Sequence, residues 1–141
     1  MDIVEQTTRE IHELHQFLQN WFNGAVPKTR ENFARLADAW PKSFTLIFSD
    51  NEIYTAERLL EITFEQHGAF PRLSIRIDNL QITAFAMATA AVAIYEERHI
   101  DEHEIDVRLC SATLARRPED PTVLQWVHVH ESTIERNVDE S

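Results

Sequence analysis

A chain of 141 residues is long enough for one domain with its own core, and a hydrophobic fraction of 43% beside a charged fraction of 26% is that of a globular protein. Its formal net charge of −11 works against nucleic acid and anionic membrane surfaces as partners, because both are polyanions. The single cysteine, Cys110, excludes an internal disulfide, fits a reducing compartment, and reads as a buried inert thiol in an apolar-alternating segment.

Asp2 with Glu5 resembles a capping box that opens a first helix. Val4, Ile11, Leu14, Leu18, Trp21 and Phe22 then recur at helical spacing. Gly24 supplies the left-handed stop, and Pro27 follows. The charges Asp2, Glu5, Arg9, Glu10 and Glu13 make this an amphipathic helix and not a signal-peptide core. Thr29 caps a second, shorter helix with an apolar face of Phe33, Leu36, Ala37 and Trp40, closed by Pro41. A short β-prone run covers residues 44–48. Turn chemistry at 49–52 precedes a brief return strand at Ile53 and Tyr54. Thr55 caps a third helix carrying Leu59, Leu60, Ile62, Phe64 and His67, stopped by Gly68.

Beyond Pro71 the period changes from 3.6 to 2. Leu73, Ile75 and Ile77 alternate with Ser74, Arg76 and Asp78, a half-buried strand. The stretch 83–97 is ambiguous: six alanines favour helix, whereas Thr89, Val92, Ile94 and Tyr95 favour strand. We read a turn at 85–88 and a strand over 89–98. The longest uncharged run, between Asp78 and Glu96, is broken by Asn79, Gln81, Thr83 and Thr89 and makes a poor membrane span. A cytoplasmic location is expected. Residues 98–103 read as a polar connection. A strand over 105–114 sets Ile105, Val107 and Leu109 against Asp106, Arg108 and Cys110. Residues 116–121 form a charged turn, and a last strand runs over 123–132. The single domain is expected to end at 133, with an acidic tail over 134–141.

The last strand reads Trp126-Val127-His128-Val129-His130-Glu131-Ser132. Strict alternation puts Trp126, His128, His130 and Ser132 on one face and Val127 and Val129 on the other. The expectation is that the imidazole face lines a hollow.

Helices first and antiparallel strands afterwards is the α+β layout. A curved sheet around a long first helix leaves a cone with an open mouth, a natural ligand pocket. The element order resembles the nuclear transport factor 2-like superfamily. So do Phe44-Thr45-Leu46-Ile47, Glu65-Gln66-His67-Gly68, Tyr95-Glu96-Glu97 and the closing strand; the nearest resemblance is to small SnoaL-like domains. The resemblance spans nearly the whole chain. It implies an α+β cone of the cystatin-like type, with N-terminal helices in the concave face of a strongly curved, mostly antiparallel sheet. It also implies strand for the alanine-rich stretch and a homodimer through the outer sheet face. The superfamily hosts many activities, so it transfers no catalytic set.

Several residues carry candidate chemistry. His128 and His130 form an H-x-H pair that could line the pocket, act as base or hydrogen-bond donor, or hold a metal with help from His99, His103, Glu96 or Asp106. A surface or structural role weighs at least as much, and we assign no metal and no cofactor. Arg108 could bind an oxyanion, against a plain ion pair with Asp106. Tyr95 and Glu96 point to opposite faces, so one should reach the cavity. Trp40 and Tyr54 could rim its mouth, with Trp126 inside. There is no Gly-x-Ser-x-Gly elbow and no glycine-rich phosphate loop. Three readings follow: a small-molecule-binding domain, an isomerase, dehydratase or cyclase working by acid–base chemistry, or a homo-oligomerisation module.

Overall fold

The computed structural model describes residues 1–102 and 104–138, the last three by their backbone alone. Helix α1 (Ile3–Phe22) starts where Asp2 accepts the Glu5 backbone N–H at 2.8 Å. It buries Ile3, Thr7, Ile11, Leu14, His15, Leu18 and Trp21. Val4, expected on that stripe, is 42% exposed, and Ile3 takes its place. Thr29 caps α2 (Arg30–Ala37), and Thr55 caps α3 (Ala56–Glu65), each through its hydroxyl.

Both glycines adopt the left-handed conformation, and they meet. A Cβ on Gly24 would lie 3.4 Å from the Gly68 Cα. The Gly68 N–H donates to the Trp21 carbonyl, and the Phe70 N–H to that of Phe22. The ends of α1 and α3 are thus joined backbone to backbone, which side chains at both positions would hinder.

Six strands follow the order β2-β1-β6-β5-β4-β3 in one sheet. They are β1 (Thr45–Ile47), β2 (Ile53–Thr55), β3 (Leu73–Phe85), β4 (Ala90–Asp101), β5 (Glu104–Arg117) and β6 (Asp120–Val138). All pairings are antiparallel except β1 with β6. The alanine-rich stretch runs from the end of β3 through a turn at 86–89, one residue later than the expected 85–88, into strand β4. Its alanines have a packing reason: Ala91 and Ala93 are fully buried on the inner face, where small side chains leave room for α1 and its neighbours.

The long strands outrun their expected limits. β3 continues past a register shift at Asn79, whose φ of 55° suits asparagine. The polar connection at 98–103 is largely strand, since β4 reaches Asp101 and pairs with Glu104. The ends of the charged turn at 116–121 are also strand: β5 runs to Arg117 and β6 starts at Asp120. β6 runs on to Val138, paired with β5, where an acidic tail was expected from 134. Among the described residues no helix is long and apolar enough to cross a membrane.

Helix α1 packs across the inner face against β3, β4 and β6. Trp126 keys the strands to the helices: its Nε1–H donates to Glu10 Oε2 at 2.9 Å, and Arg35 grips both oxygens of the same carboxylate.

Candidate functional site

The face of β6 changes midway. Leu114 pairs with Trp126, but Thr113 pairs with His128, leaving Val127 as an extra residue. This is a β-bulge, and it resets the alternation. Trp126 is buried inside. After the bulge Val129 and Glu131 point inside, and His128 and His130 point out. The expectation that Trp126, His128 and His130 share a cavity face is therefore corrected. His128 instead meets the Thr45 hydroxyl of β1 through Nδ1 at 2.9 Å, and His130 is exposed. Glu96 also points outward, where Asn79 contacts its carboxylate.

The hollow between the inner sheet face, α1 and α3 has a volume of about 590 Å³. Trp40, Tyr54, Tyr95, Arg108 and Trp126 all line it. Its apolar wall comes from Leu14, Leu18 and Phe22 of α1 and from Leu59 and Ile62 of α3. Trp40 stands at this wall stacked on Phe44, with ring centroids 5.0 Å apart. Tyr54 donates to Glu52 at 3.2 Å, and Arg58 lies over its ring. A second hollow, about 610 Å³, lies outside the cone beside Gln6, Arg116 and Pro121. It lacks the buried titratable groups that distinguish the cone.

Those groups form the polar end. Tyr95, Glu97 and His99 of β4 alternate inward, opposite Cys110, Arg108 and Asp106 of β5. Glu131 and Thr133 of β6 complete the lining. Glu97 is only 3% exposed. Its Oε1 lies 3.2 Å from His15 Nε2 and 3.2 Å from His99 Nε2. The His99 contact is an ion pair without hydrogen-bond alignment. The Cys110 thiol reaches Glu97 Oε2 at 3.6 Å and Glu131 Oε1 at 3.9 Å. Arg108 donates twice to Asp106, at 3.0 and 3.2 Å, and reaches Glu131 Oε2 at 3.5 Å.

This arrangement fixes where protons sit. Burial disfavours the Glu97 carboxylate, but His15 and then His99 outweigh it and hold the group well below the usual range. Burial opposes the His15 imidazolium, yet Glu97 overcomes it and raises the pKa. Geometry agrees. The Ile11 carbonyl, 2.7 Å from Nδ1, can only accept, and the carboxylate at Nε2 also accepts, so both ring nitrogens carry hydrogen. Glu131 behaves oppositely. Burial and the neighbouring Glu97 charge raise it well above the ordinary value despite Arg108. Burial pushes the Cys110 thiol and the Tyr95 hydroxyl up as well, and both stay protonated. Around Cys110 the polar end thus sets the ionised Glu97, the neutral Glu131 and the His15 imidazolium within a few ångströms of one another.

Sequence reading missed His15, Glu97, Glu131 and the inward turn of His99. His15 carried a signal: it sits four residues after Ile11 and three before Leu18, inside the apolar stripe. His103, considered as a metal ligand, lies outside the described residues. The outer His128/His130 pair gathers no third donor among the described residues. Among the described residues the one group of three that does gather is Glu97, Cys110 and Glu131, whose donor atoms lie within 4.8 Å of one another.

A three-helix, six-stranded open cone with a lined hollow on its inner face is the nuclear transport factor 2-like fold, and the chain has that fold. Among solved structures it is similar to an NTF2-like protein of unknown function from Pseudomonas aeruginosa. That match has 24% identity and a TM-score of 0.82, and covers 92% of this chain and 99% of the other. It is also similar to the hexachlorocyclohexane dehydrochlorinase LinA-type3 of Novosphingobium barchaimii LL02, at 13% identity and a TM-score of 0.68, covering 99% and 94%. A third is an NTF2-like protein of unknown function in nutrient uptake from Rhodospirillum rubrum, at 13% identity and a TM-score of 0.65, covering 96% and 100%. No protein-family model and no curated protein matches the sequence.

Proposed function

We propose that the cone binds a small molecule with an apolar body and one polar end, and performs acid–base chemistry on it. The observation that carries this reading is the buried Glu97 carboxylate, flanked by His15 at 3.2 Å and facing the Glu131 carboxyl across the Cys110 thiol. Titratable groups buried this deeply against an apolar hollow are expensive to keep, and they supply base and acid side by side. Glu97, oriented by His15, is the proton acceptor. Neutral Glu131 is the donor, held by Arg108. Asp106 takes two of the five N–H groups of Arg108 and Glu131 a third, so Arg108 positions the donor and has N–H groups left for a ligand oxyanion. A dehydrochlorinase among the similar structures is compatible with proton abstraction as the reaction class. Isomerisation, dehydration and elimination all begin with that step.

Two measurements test this. Ligand-observed NMR with a panel of small cyclic ketones and halogenated rings should show binding to the native protein and loss in Leu18→Trp, which fills the apolar wall. For compounds that bind, deuterium uptake from D2O should be accelerated by the native protein and slowed at least about 100-fold in Glu97→Gln. Equal binding by the filled variant, or exchange no faster than in buffer, overturns the reading.

The outer sheet face supports a homodimer as the assembled form. Ile94 and Leu109 alternate outward and are 45% and 43% exposed, and Val127 at the bulge farther along the sheet is 45% exposed.

A further inference from the structure

We propose that the polar end of the cone's ligand is a neutral acceptor oxygen, such as that of a ketone, and that the Tyr95 hydroxyl selects for it with the Arg108 guanidinium beside it. This rests on the reading of the hollow as a binding site and narrows what that site takes.

Strand β4 turns Tyr95 and Glu97 inward two residues apart, and β5 sets Cys110 opposite the first and Arg108 opposite the second. Tyr95 and Arg108 are therefore diagonal neighbours on one sheet face, about 7–8 Å apart along the backbone and within reach of one small group for side chains of their length. Tyr95 exposes only 2% of its surface, yet it lines the hollow. Its ring is set edge-on against His15, with centroids 5.4 Å apart. Burial opposes a tyrosinate, so the hydroxyl keeps its hydrogen and is a donor. Among the described residues that hydroxyl has no hydrogen-bond partner. A hydroxyl kept from bulk water without a partner is costly, and an acceptor oxygen on a ligand meets its need.

Arg108 is the second, independent observation. Asp106 takes its Nε–H and one N–H of Nη2, and Glu131 takes one of Nη1. One N–H is left on each terminal nitrogen. The guanidinium lies over Phe48, 4.7 Å from the ring centroid, and lines the same hollow. The acceptors around it are already engaged or closed off. Glu97 receives His15 and the Cys110 thiol. Asp106 keeps one oxygen on Arg108, and its other oxygen is covered. What the polar end offers a ligand is therefore donors. An ammonium would face the Arg108 charge and the Tyr95 hydrogen. A carboxylate would add a negative charge beside the ionised Glu97. A carbonyl oxygen brings no net charge and has two lone pairs, enough for both donors.

The test titrates the full chain with 2-decalone, with its methylene analogue, in which C=CH2 replaces C=O, and with the matching amine and carboxylate, each followed by ligand-observed NMR. The native protein should bind the ketone more tightly than either charged compound. Tyr95→Phe keeps the ring and its packing. It should lower the ratio of ketone to methylene affinity about fivefold to tenfold, the loss of one hydrogen bond, and leave the methylene compound within about twofold. The carbonyl stretch of the bound, carbon-13-labelled ketone should move to higher wavenumber in the variant. Three outcomes overturn the proposal: a ratio unchanged within about twofold, a carbonyl stretch that does not move, or an amine or carboxylate that binds more tightly than the ketone. If these occur while the probes are still lost in Leu18→Trp, the binding reading stands and only this inference falls. If none of the four compounds binds, both fall.

Discussion

His15 Nε2 and Glu97 Oε1 lie 3.2 Å apart, and neither side chain exposes more than 6% of its surface. The helix supplies the cation and the sheet supplies the anion, so the contact holds α1 to β4 as well as charging the hollow. Removing one partner strands the other. His15→Ala is expected to cost about 3 kcal/mol, the lower end of what breaking a buried pair costs, because His99 still reaches the same oxygen. Urea denaturation of the chelator-treated protein at neutral pH measures it. A loss below about 0.5 kcal/mol would show that the pair contributes nothing net.

Glu131 gives the opposite sign. Its folded-state pKa is raised, so the native state keeps a proton that the unfolded chain has released above the ordinary glutamate value of 4.5. Stability therefore falls as pH rises from that value toward the folded pKa. Glu131→Gln removes this slope. In metal-free buffer the variant should gain stability over the native protein as pH rises above about 5, with little difference at acid pH. Thermal melts across pH 4 to 8 check this. A constant offset across the range counts against the neutral carboxyl. Glu97, with its lowered pKa, contributes a loss of stability only as pH falls through its folded value.

The outward turn of the H-x-H pair makes a clean negative test. His128→Ala with His130→Ala should leave ligand binding within about twofold. It should cost about 1 kcal/mol, chiefly through the lost contact with Thr45. A tenfold loss of affinity for any cone ligand would put the imidazoles back at the site.

The outer face predicts assembly. The native chain should run as a dimer in light-scattering chromatography. Ile94→Asp with Leu109→Asp should release monomers that keep their fold by circular dichroism, because both residues point away from the core. A native protein that stays monomeric at high micromolar concentration defeats the expectation.

The helices were legible because their signals are local. Asp2, Thr29 and Thr55 each cap where the sequence places a cap, and Gly24 and Gly68 both take positive φ. Residues 90–98 are strand, as the family resemblance implies and against alanine's helix propensity. Cavity residues such as Tyr95 and Arg108 followed from simple alternation. The polar end did not. Glu97 reads as an ordinary strand-end charge until His15, 82 positions earlier, is placed against it by the packing of α1. His128 and His130 failed for a different reason. A bulge shifts parity without changing composition, and nothing in Trp-Val-His-Val-His announces it.

That slip at Val127 has a mechanical consequence. Upstream of it, the inside order is indexed by Trp126 and its anchor on Glu10; downstream, by Val129 and Glu131. The two halves of β6 are out of step with each other, so each keeps its own bookkeeping of inside and outside. Substitutions on the downstream half of β6 leave the inward setting of Trp126, and its grip on Glu10, where they are.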